Sequence, residues 1–582
     1  MAEPRVIVER DVAVPMRDGV ILRANVYRPD EEGRFPVLLQ RTPYGKDASN
    51  VDFCVLSAAR GYAVVVQDTR GRWASEGVHY PLRYEFDDGY DTVEWAASQP
   101  WANGKVGMWG GSYVGWTQWT AAFAKPPSLV TIFPMVTFTD AYTDVAYPGG
   151  ALAEGIIVSW GLAAVASMVI QRMEDEEEKA QLLEELADAL DGLATGETFR
   201  ALPLSRVPLL EREDMGRGFQ DFIKHLSKDA FWDEMDVRSH IEKIAIPVYH
   251  LGGWYDIFVG GTLASYQAMR ERAGSEKARR GQKLIMGPWL HGPLSGVVGE
   301  VDFGVRASDT YVLPYEIMWR WFDYWLKGVD NGIMDEPPVR IFVMGQNRWR
   351  TENEWPLART AYTPYYLHSG GKANSLKGDG VLSLEEPGDE PVDQFSYDPR
   401  NPVPTRGGGL CCWQAALPAG AYDQRPVEER EDVLVYTSAP LEKDLEVTGP
   451  LQVVLWASSS AVDTDFTAKL VDVSPCGYAR NLADGIVRAR YRHGVRKAQL
   501  LTPGAIEKYV IDLGATSNVF LAGHRIRLEI SSSNFPRFER NPNTGHPVQD
   551  EGEMIVARQK IYHDAEHPSQ IILPIVPPKE GD

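Results

Sequence analysis

The short aliphatic run Val106-Gly-Met-Trp109 passes through Gly110-Gly111-Ser112 directly into Tyr113-Val114-Gly115 and a helix-like segment at 114–125. A strand that becomes a helix within three small residues leaves few folds to choose from. The helix must cover the sheet that holds the strand, which is the layering of an α/β protein. Other segments agree. Pro36-Val-Leu-Leu-Gln40, Tyr62-Ala-Val-Val-Val-Gln67, Ile246-Pro-Val-Tyr-His-Leu251 and Lys283-Leu-Ile-Met286 are compact apolar runs. Apolar character that is continuous rather than alternating predicts strands buried on both faces of a mostly parallel sheet. Residues 87–98 read as an amphipathic helix between two such strands.

The α/β pattern is interrupted. Pro148-Gly149-Gly150 is a turn cluster, and the chain then reads as helical to about residue 240. Arg172-Met-Glu-Asp-Glu-Glu-Glu-Lys179 is a charge run best read as a solvated face,. It leads into Leu182, Leu183, Leu186, Leu190 and Leu193, expected on one helical face,. A Trp-rich helix is expected at 316–327. Beyond about 352 the strands shorten and Pro- and Gly-rich turns separate them: Leu451–Trp456, Phe466–Leu470, Tyr509–Leu513 and Arg525–Ile530. In the last, Ile526, Leu528 and Ile530 alternate to one face. A chain of 582 residues exceeds one hydrophobic core,. The expected domains are an α/β unit at 1–145 and 241–351, a helical cap at 146–240, and a β sandwich or jelly roll at 352–582.

The turn at Ser112 also suits chemistry. A nucleophile elbow needs small neighbours because its turn is strained, and the strain pushes the side chain out of the sheet. The helix that follows offers free N–H groups to an oxyanion. The usual G-x-S-x-G is not met, since Val114 stands where glycine is expected and Gly115 follows one place later. An ordinary βα turn has similar composition, so this segment alone leaves both readings open. A serine is inert without a base, and the base needs an orienting carboxylate. In this fold class the order is Ser, acid, His. Leu251-Gly-Gly-Trp-Tyr-Asp256 and Met286-Gly-Pro-Trp-Leu-His291-Gly292 supply Asp256 and His291 in that order, each after a strand, where ligand sites collect. Among the rivals, His250 lies within a strand and reads as a core residue. His563 and His567 have i, i+4 spacing without the Glu that a metal-binding helix would place after the first His,.

Together these segments, with Arg41-Thr-Pro-Tyr44, Gln67-Asp-Thr-Arg-Gly71, Ala461–Val473 and Ser531-Ser-Ser-Asn-Phe-Pro536, resemble the bacterial cocaine esterase family. Its wider group includes X-prolyl dipeptidyl-peptidases, α-amino-acid ester hydrolases and glutaryl-cephalosporin acylases. The resemblance spans almost the whole chain, and G-x-S-Y-x-G is that group's own elbow. It implies an α/β-hydrolase domain with a helical cap and a C-terminal jelly roll, and hydrolysis of carboxylic esters through an acyl-enzyme. It further implies Ser112 as nucleophile, His291 as base and Asp256 as its orienting acid. Tyr44 and the Tyr113 amide would form the oxyanion hole. Tyr147, Trp160, Phe258 and the Cys411-Cys412 pair would line the acyl pocket, the cysteines standing where a bulkier Leu-Phe pair is usual and so enlarging or reshaping it. No cofactor or metal is implied.

The remaining properties narrow the partners. A net charge of −22 repels nucleic acid and anionic lipid,. No run of 18 apolar residues suggests a membrane span. Four cysteines without a C-x-x-C pair predict free thiols,. With an N-terminus lacking a basic-then-apolar pattern, they predict a cytoplasmic location. The expected partner is a small ester, and the chain is compatible with a homodimer. Two other readings stay open: an amide-cleaving relative, which for α-amino substrates would need carboxylates to hold the ammonium, and a non-catalytic binding protein built on the sandwich.

Overall fold

The computed structural model describes residues 5–577. Ten strands form the first sheet: β1 (Val6–Pro15), β2 (Ile21–Pro29), β3 (Phe35–Thr42), β4 (Ala63–Asp68), β5 (Ala102–Gly111), β6 (Leu129–Met135), β7 (Val248–Tyr255), β8 (Gln282–Leu290), β9 (Val339–Val343) and β10 (Arg348–Glu352). Their order is β1-β2-β4-β3-β5-β6-β7-β8-β9-β10. The seven from β4 to β9 in that order are parallel. Antiparallel strands finish both edges. The continuous apolar runs follow from this position: β3, β4 and β7 are buried at every residue. From β3 the chain proceeds to β4 on one side, and from β5 to β6 on the other. The C-terminal ends of β3 and β5 therefore flank a topological switch point, where open α/β sheets form a crevice.

Helices cover both faces. Glu85–Ala97 and Tyr113–Ala124 pack on one, so closely that a Cβ on Gly89 would lie 3.0 Å from Ala121 Cβ. On the other, Phe53 stacks on Trp319 at 5.8 Å, and Trp321 is fully buried. Between β6 and β7 the chain forms a helical insertion. Its rod Glu154–Gln171 is long and apolar enough to cross a bilayer by length and composition alone, with mean hydropathy 1.5, yet 67 % of it is buried inside the protein. The acidic run caps the next helix, Glu176–Thr195: the Asp175 side chain accepts from the Glu177 and Glu178 amides, where carboxylates also suit the helix dipole. Leu182, Leu186 and Leu193 are buried as expected, but Leu183 is exposed. One residue is a 100° turn on a helix, which carries Leu183 off the stripe.

The C-terminal region is an 11-stranded sheet system, antiparallel except for one bridge. Leu445–Ser459 is its spine, pairing with Glu507–Phe520, Ala557–Tyr562 and Gln570–Val576. Asp465–Val473 lies between Ala479–Arg488 and Arg525–Ser531. Ile526, Leu528 and Ile530 share the core as expected. The alternate residues Arg527 and Glu529 are buried too, and Arg527 is held by Glu428 at 2.6 Å. The two sheets meet at the end of β7, where the Tyr255 hydroxyl donates to the Asn481 carbonyl at 2.8 Å.

Candidate active site

Ser112, Asp256 and His291 are each the first residue beyond a strand, after β5, β7 and β8. The sequence predicts loops after Leu251 and Met286, but pairing of Gly253 with Gly287 and of Tyr255 with Leu290 extends both strands to the polar residue itself. Parallel neighbours thus deliver all three side chains to one edge. His291 Nε2 is 2.9 Å from Ser112 Oγ, and His291 Nδ1 is 2.8 Å from Asp256 Oδ1. Asp256 is buried, and Phe258 meets the imidazole edge-on at 5.1 Å. The rival His250 hydrogen-bonds Gln282 inside the sheet, and burial lowers its pKa to about 4. His563 pairs with Asp393 at 2.9 Å, remote in the β region.

The elbow is built by its glycines. Ser112 has φ 60°, ψ −128°, outside the comfortable regions for a side-chain-bearing residue,. Gly110 has φ 138°, and a Cβ there would lie 2.2 Å from Val114 Cγ1. At Gly115 a Cβ would lie 2.5 Å from Thr137 Cβ. Thr137 in turn donates to the Ser112 carbonyl at 2.7 Å. The helix comes closest at 115, against Thr137 just beyond β6, so Val114 is free to cover Gly110, and the displaced glycine is explained.

Tyr113 opens its helix, so its N–H is among the amides without an intrahelical acceptor,. Its side chain is anchored in the core: the hydroxyl donates to Glu85 at 3.0 Å and accepts from the Leu82 amide at 2.9 Å. Glu85 is held by buried Arg41 at 2.7 Å, and Arg41 also donates to Gln67 at 2.8 Å. Burial raises the Glu85 pKa, with Arg41 opposing. Arg72 donates to the Pro43 carbonyl at 3.0 Å and to Ala164 in the insertion. Burial lowers the pKa of its guanidinium to about 10. The motif residues around Arg41 and Gln67 thus form the mount beneath Tyr44 and Tyr113. Tyr44 is 38 % exposed overall, but its hydroxyl end lies inward. It accepts from Trp160 Nε1 at 3.2 Å and lines the same cleft as Ser112. Desolvation raises its pKa, so the phenol keeps its proton as a donor.

Beside Ser112 runs an apolar cleft of about 50 Å³. Trp160, Phe258 and Cys412, which the resemblance implies for the acyl pocket, line it together with Tyr44 and Tyr113; Phe138, Val145, Ile157 and Phe222 line it too. Tyr147 and Cys411 do not. The Tyr147 ring stacks on Tyr142 at 5.1 Å and its hydroxyl donates to the Phe222 carbonyl at 3.1 Å, so it braces the insertion while Val145 faces the cleft. Cys411 is buried in the core behind. The free-thiol expectation also fails for this pair, which forms a Cys411–Cys412 disulfide; Cys54 and Cys476 are free. Consecutive residues need no fold to bring them together, so a low cysteine count says nothing about them. On the other side of Ser112 a second space of about 940 Å³ is lined by Ser112, His291, Leu313 and Trp319.

A sequence profile of the X-Pro dipeptidyl-peptidase (S15) family matches residues 18–293. That of the X-Pro dipeptidyl-peptidase C-terminal non-catalytic domain matches 331–572. Cocaine esterase of Rhodococcus sp. (strain MB1 Bresler) is 41 % identical over 99 % of this chain and 100 % of its own. A solved α-amino acid ester hydrolase superposes with TM-score 0.79 at 26 % identity, covering 99 % and 97 % of the two chains. An aminopeptidase from the marine sediment archaeon Thaumarchaeota archaeon does so with TM-score 0.81 at 25 % identity, over the same shares.

Proposed function

The chain belongs to the family of bacterial cocaine esterase and the X-Pro dipeptidyl-peptidases and is a serine esterase, and we propose that Ser112, His291 and Asp256 are its catalytic triad, with Tyr44 and the Tyr113 amide as its oxyanion hole. The observation that carries this reading is the unbroken chain Asp256–His291–Ser112, at 2.8 and 2.9 Å, opening on the apolar cleft. Ser112 Oγ attacks the ester carbonyl while His291 Nε2 takes its proton. The carbonyl oxygen, now an alkoxide, receives hydrogen bonds from the Tyr44 hydroxyl and the Tyr113 N–H. His291 returns the proton to the leaving alcohol. Water, deprotonated by His291, then attacks the acyl-enzyme and releases the acid and Ser112. Asp256 fixes the imidazole tautomer and balances its transient charge.

The substrate follows from the two spaces. A narrow slot between Trp160, Tyr113 and Phe258 suits a small or flat aryl acyl group, and the roomier side next to His291 suits a bulky alcohol. No carboxylate lines the cleft among the described residues, which favours simple acyl groups over α-amino ones. The same reading assigns catalysis to 1–145 and 241–351, with 146–240 as cap and 352–582 as a jelly-roll support. Ser112→Ala should abolish hydrolysis of p-nitrophenyl acetate, butyrate and benzoate, and a fluorophosphonate probe should label Ser112. Faster cleavage of Ala-Pro-p-nitroanilide than of these esters would overturn the ester preference, and absence of labelling would overturn the triad.

A further inference from the structure

Behind the cleft lies a third space that the mechanism does not use. It measures about 590 Å³, within the usual range of ~300–1,000 Å³ for ligand sites, whereas the cleft of about 50 Å³ falls far below it. Four residues line both: Pro81, Ile157, Trp160 and Phe222. They are the partition. Pro81, Ile157 and Phe222 are buried in the packing around them, while Trp160 alone of the four is partly exposed. The indole is held by a stack on Tyr113, centroids 6.0 Å apart, and by its 3.2 Å hydrogen bond to Tyr44. Immediately after Trp160 the helix loosens into a π segment, Gly161–Ala166, a feature that often marks functional positions.

The chamber walls are mostly apolar, with Val165, Val169, Leu210 and Phe219; His79 also lines it, and its charged residues Arg172, Glu213, Asp214 and Arg217 are exposed. Neither Ser112 nor His291 lines it. The leaving alcohol must stay within reach of His291 Nε2 to be protonated, so it departs toward the 940 Å³ side that His291 lines. What points toward Trp160 is the acyl group. We propose that Trp160 is the side chain that limits acyl length, and that the chamber behind it is a subsite for the distal part of a linear, uncharged acyl chain. This rests on Ser112 being the nucleophile.

The test is kcat/KM on p-nitrophenyl acetate, butyrate, octanoate and decanoate. The wild-type protein should lose efficiency beyond butyrate. Trp160→Ala should move the optimum to octanoate or decanoate, gaining about fourfold for each methylene that enters the chamber. Trp160→Leu, which keeps an apolar side chain in the helix, should give the same shift in smaller measure and serves if the alanine variant folds poorly. Trp160→Phe removes the indole N–H but keeps a ring in the wall, so it should lower kcat on all four esters without changing the length profile. Adding Val165→Phe to Trp160→Ala puts a ring on the chamber wall and should reverse part of the shift. An unchanged length profile in folded Trp160→Ala and Trp160→Leu, or a shift that Val165→Phe does not reverse even in part, overturns the proposal. Turnover by Ser112→Ala would instead overturn the reading beneath it.

Discussion

Tyr44 and Gly115 show how single residues set this site. The Tyr44 hydroxyl accepts from Trp160 and so has its own proton free for Ser112 or an oxyanion. Tyr44→Phe deletes that donor while keeping the ring. Its kcat should fall by about 10²–10³-fold with KM little changed; near wild-type turnover would remove Tyr44 from the oxyanion hole. Because burial raises its pKa, the donor should persist beyond the pH at which a free phenol ionises. Gly115 acts through space alone. In Gly115→Ala the new methyl would press on Thr137, 2.5 Å away, and Thr137 holds the Ser112 carbonyl. The overpacking should cost about 1–3 kcal/mol, and kcat should drop more than the melting shift explains. Activity retained at wild-type level would mean that the elbow tolerates movement of Thr137.

At the scale of elements, strand centres were legible and strand ends were not. Aliphatic runs such as Val64-Val65-Val66 mark the inner strands because burial on both faces demands them, whereas Gly252–Tyr255 reads as a loop until its pairing with β8 is known. The meeting of Ser112, His291 and Asp256 was legible because their order and positions after strands are fixed by the sheet. Glu85, Arg41 and Arg72 were not assigned their roles, since nothing local says that one residue of a helix start will meet Tyr113. Tyr147 was misplaced for the same reason: a one-residue choice between Val145 and Tyr147 depends on the irregular turn at 142–150. The β region offers a pH test. His563 follows the Ala557–Tyr562 strand and binds Asp393 of the Asp393–Tyr397 strand at 2.9 Å and Glu390 at 3.2 Å. Asp393 also accepts from Tyr436 and Ser369, and Glu390 faces His368. Burial would lower the His563 pKa, but Asp393 and Glu390 outweigh it and raise it above 6.5; the Asp393 pKa, which burial would raise, is lowered below 3.8 by His563 and its other donors. The imidazolium's contribution is full below about pH 6.5 and fades as pH climbs through the raised value; Asp393's is full above about pH 3.8 and fades as pH falls through the lowered one. The melting-temperature gap between wild type and His563→Gln should therefore be widest near pH 5–6 and narrow above pH 7. A gap that widens with alkaline pH would show that His563 is neutral in the folded protein.

Across the whole molecule, the cleft depends on how the insertion is held against the β region. Arg488, at the end of the Ala479–Arg488 strand, binds Asp465 through two 2.9 Å hydrogen bonds and also binds Glu539. Glu539 accepts from the Leu152 amide at 3.3 Å. Leu152 leads directly into the helix that carries Ile157 and Trp160. One buried guanidinium therefore neutralises two buried carboxylates and, through one of them, fixes the start of the cleft wall. Burial raises both carboxyl pKa values, with Arg488 opposing. Arg488→Met fills similar space but leaves both carboxylates without their cation. Breaking a buried pair in this way costs about 3–5 kcal/mol, so the melting temperature should fall by several degrees. Part of the loss is recoverable: Arg488→Met combined with Asp465→Asn and Glu539→Gln removes the stranded charges and should be more stable than Arg488→Met alone. If the network also positions the wall, the triple variant, though restabilised, should still show reduced kcat/KM for p-nitrophenyl benzoate at a temperature where it is fully folded. Full recovery of activity with stability would confine Arg488 to holding the fold together and leave the placement of Trp160 to the insertion itself.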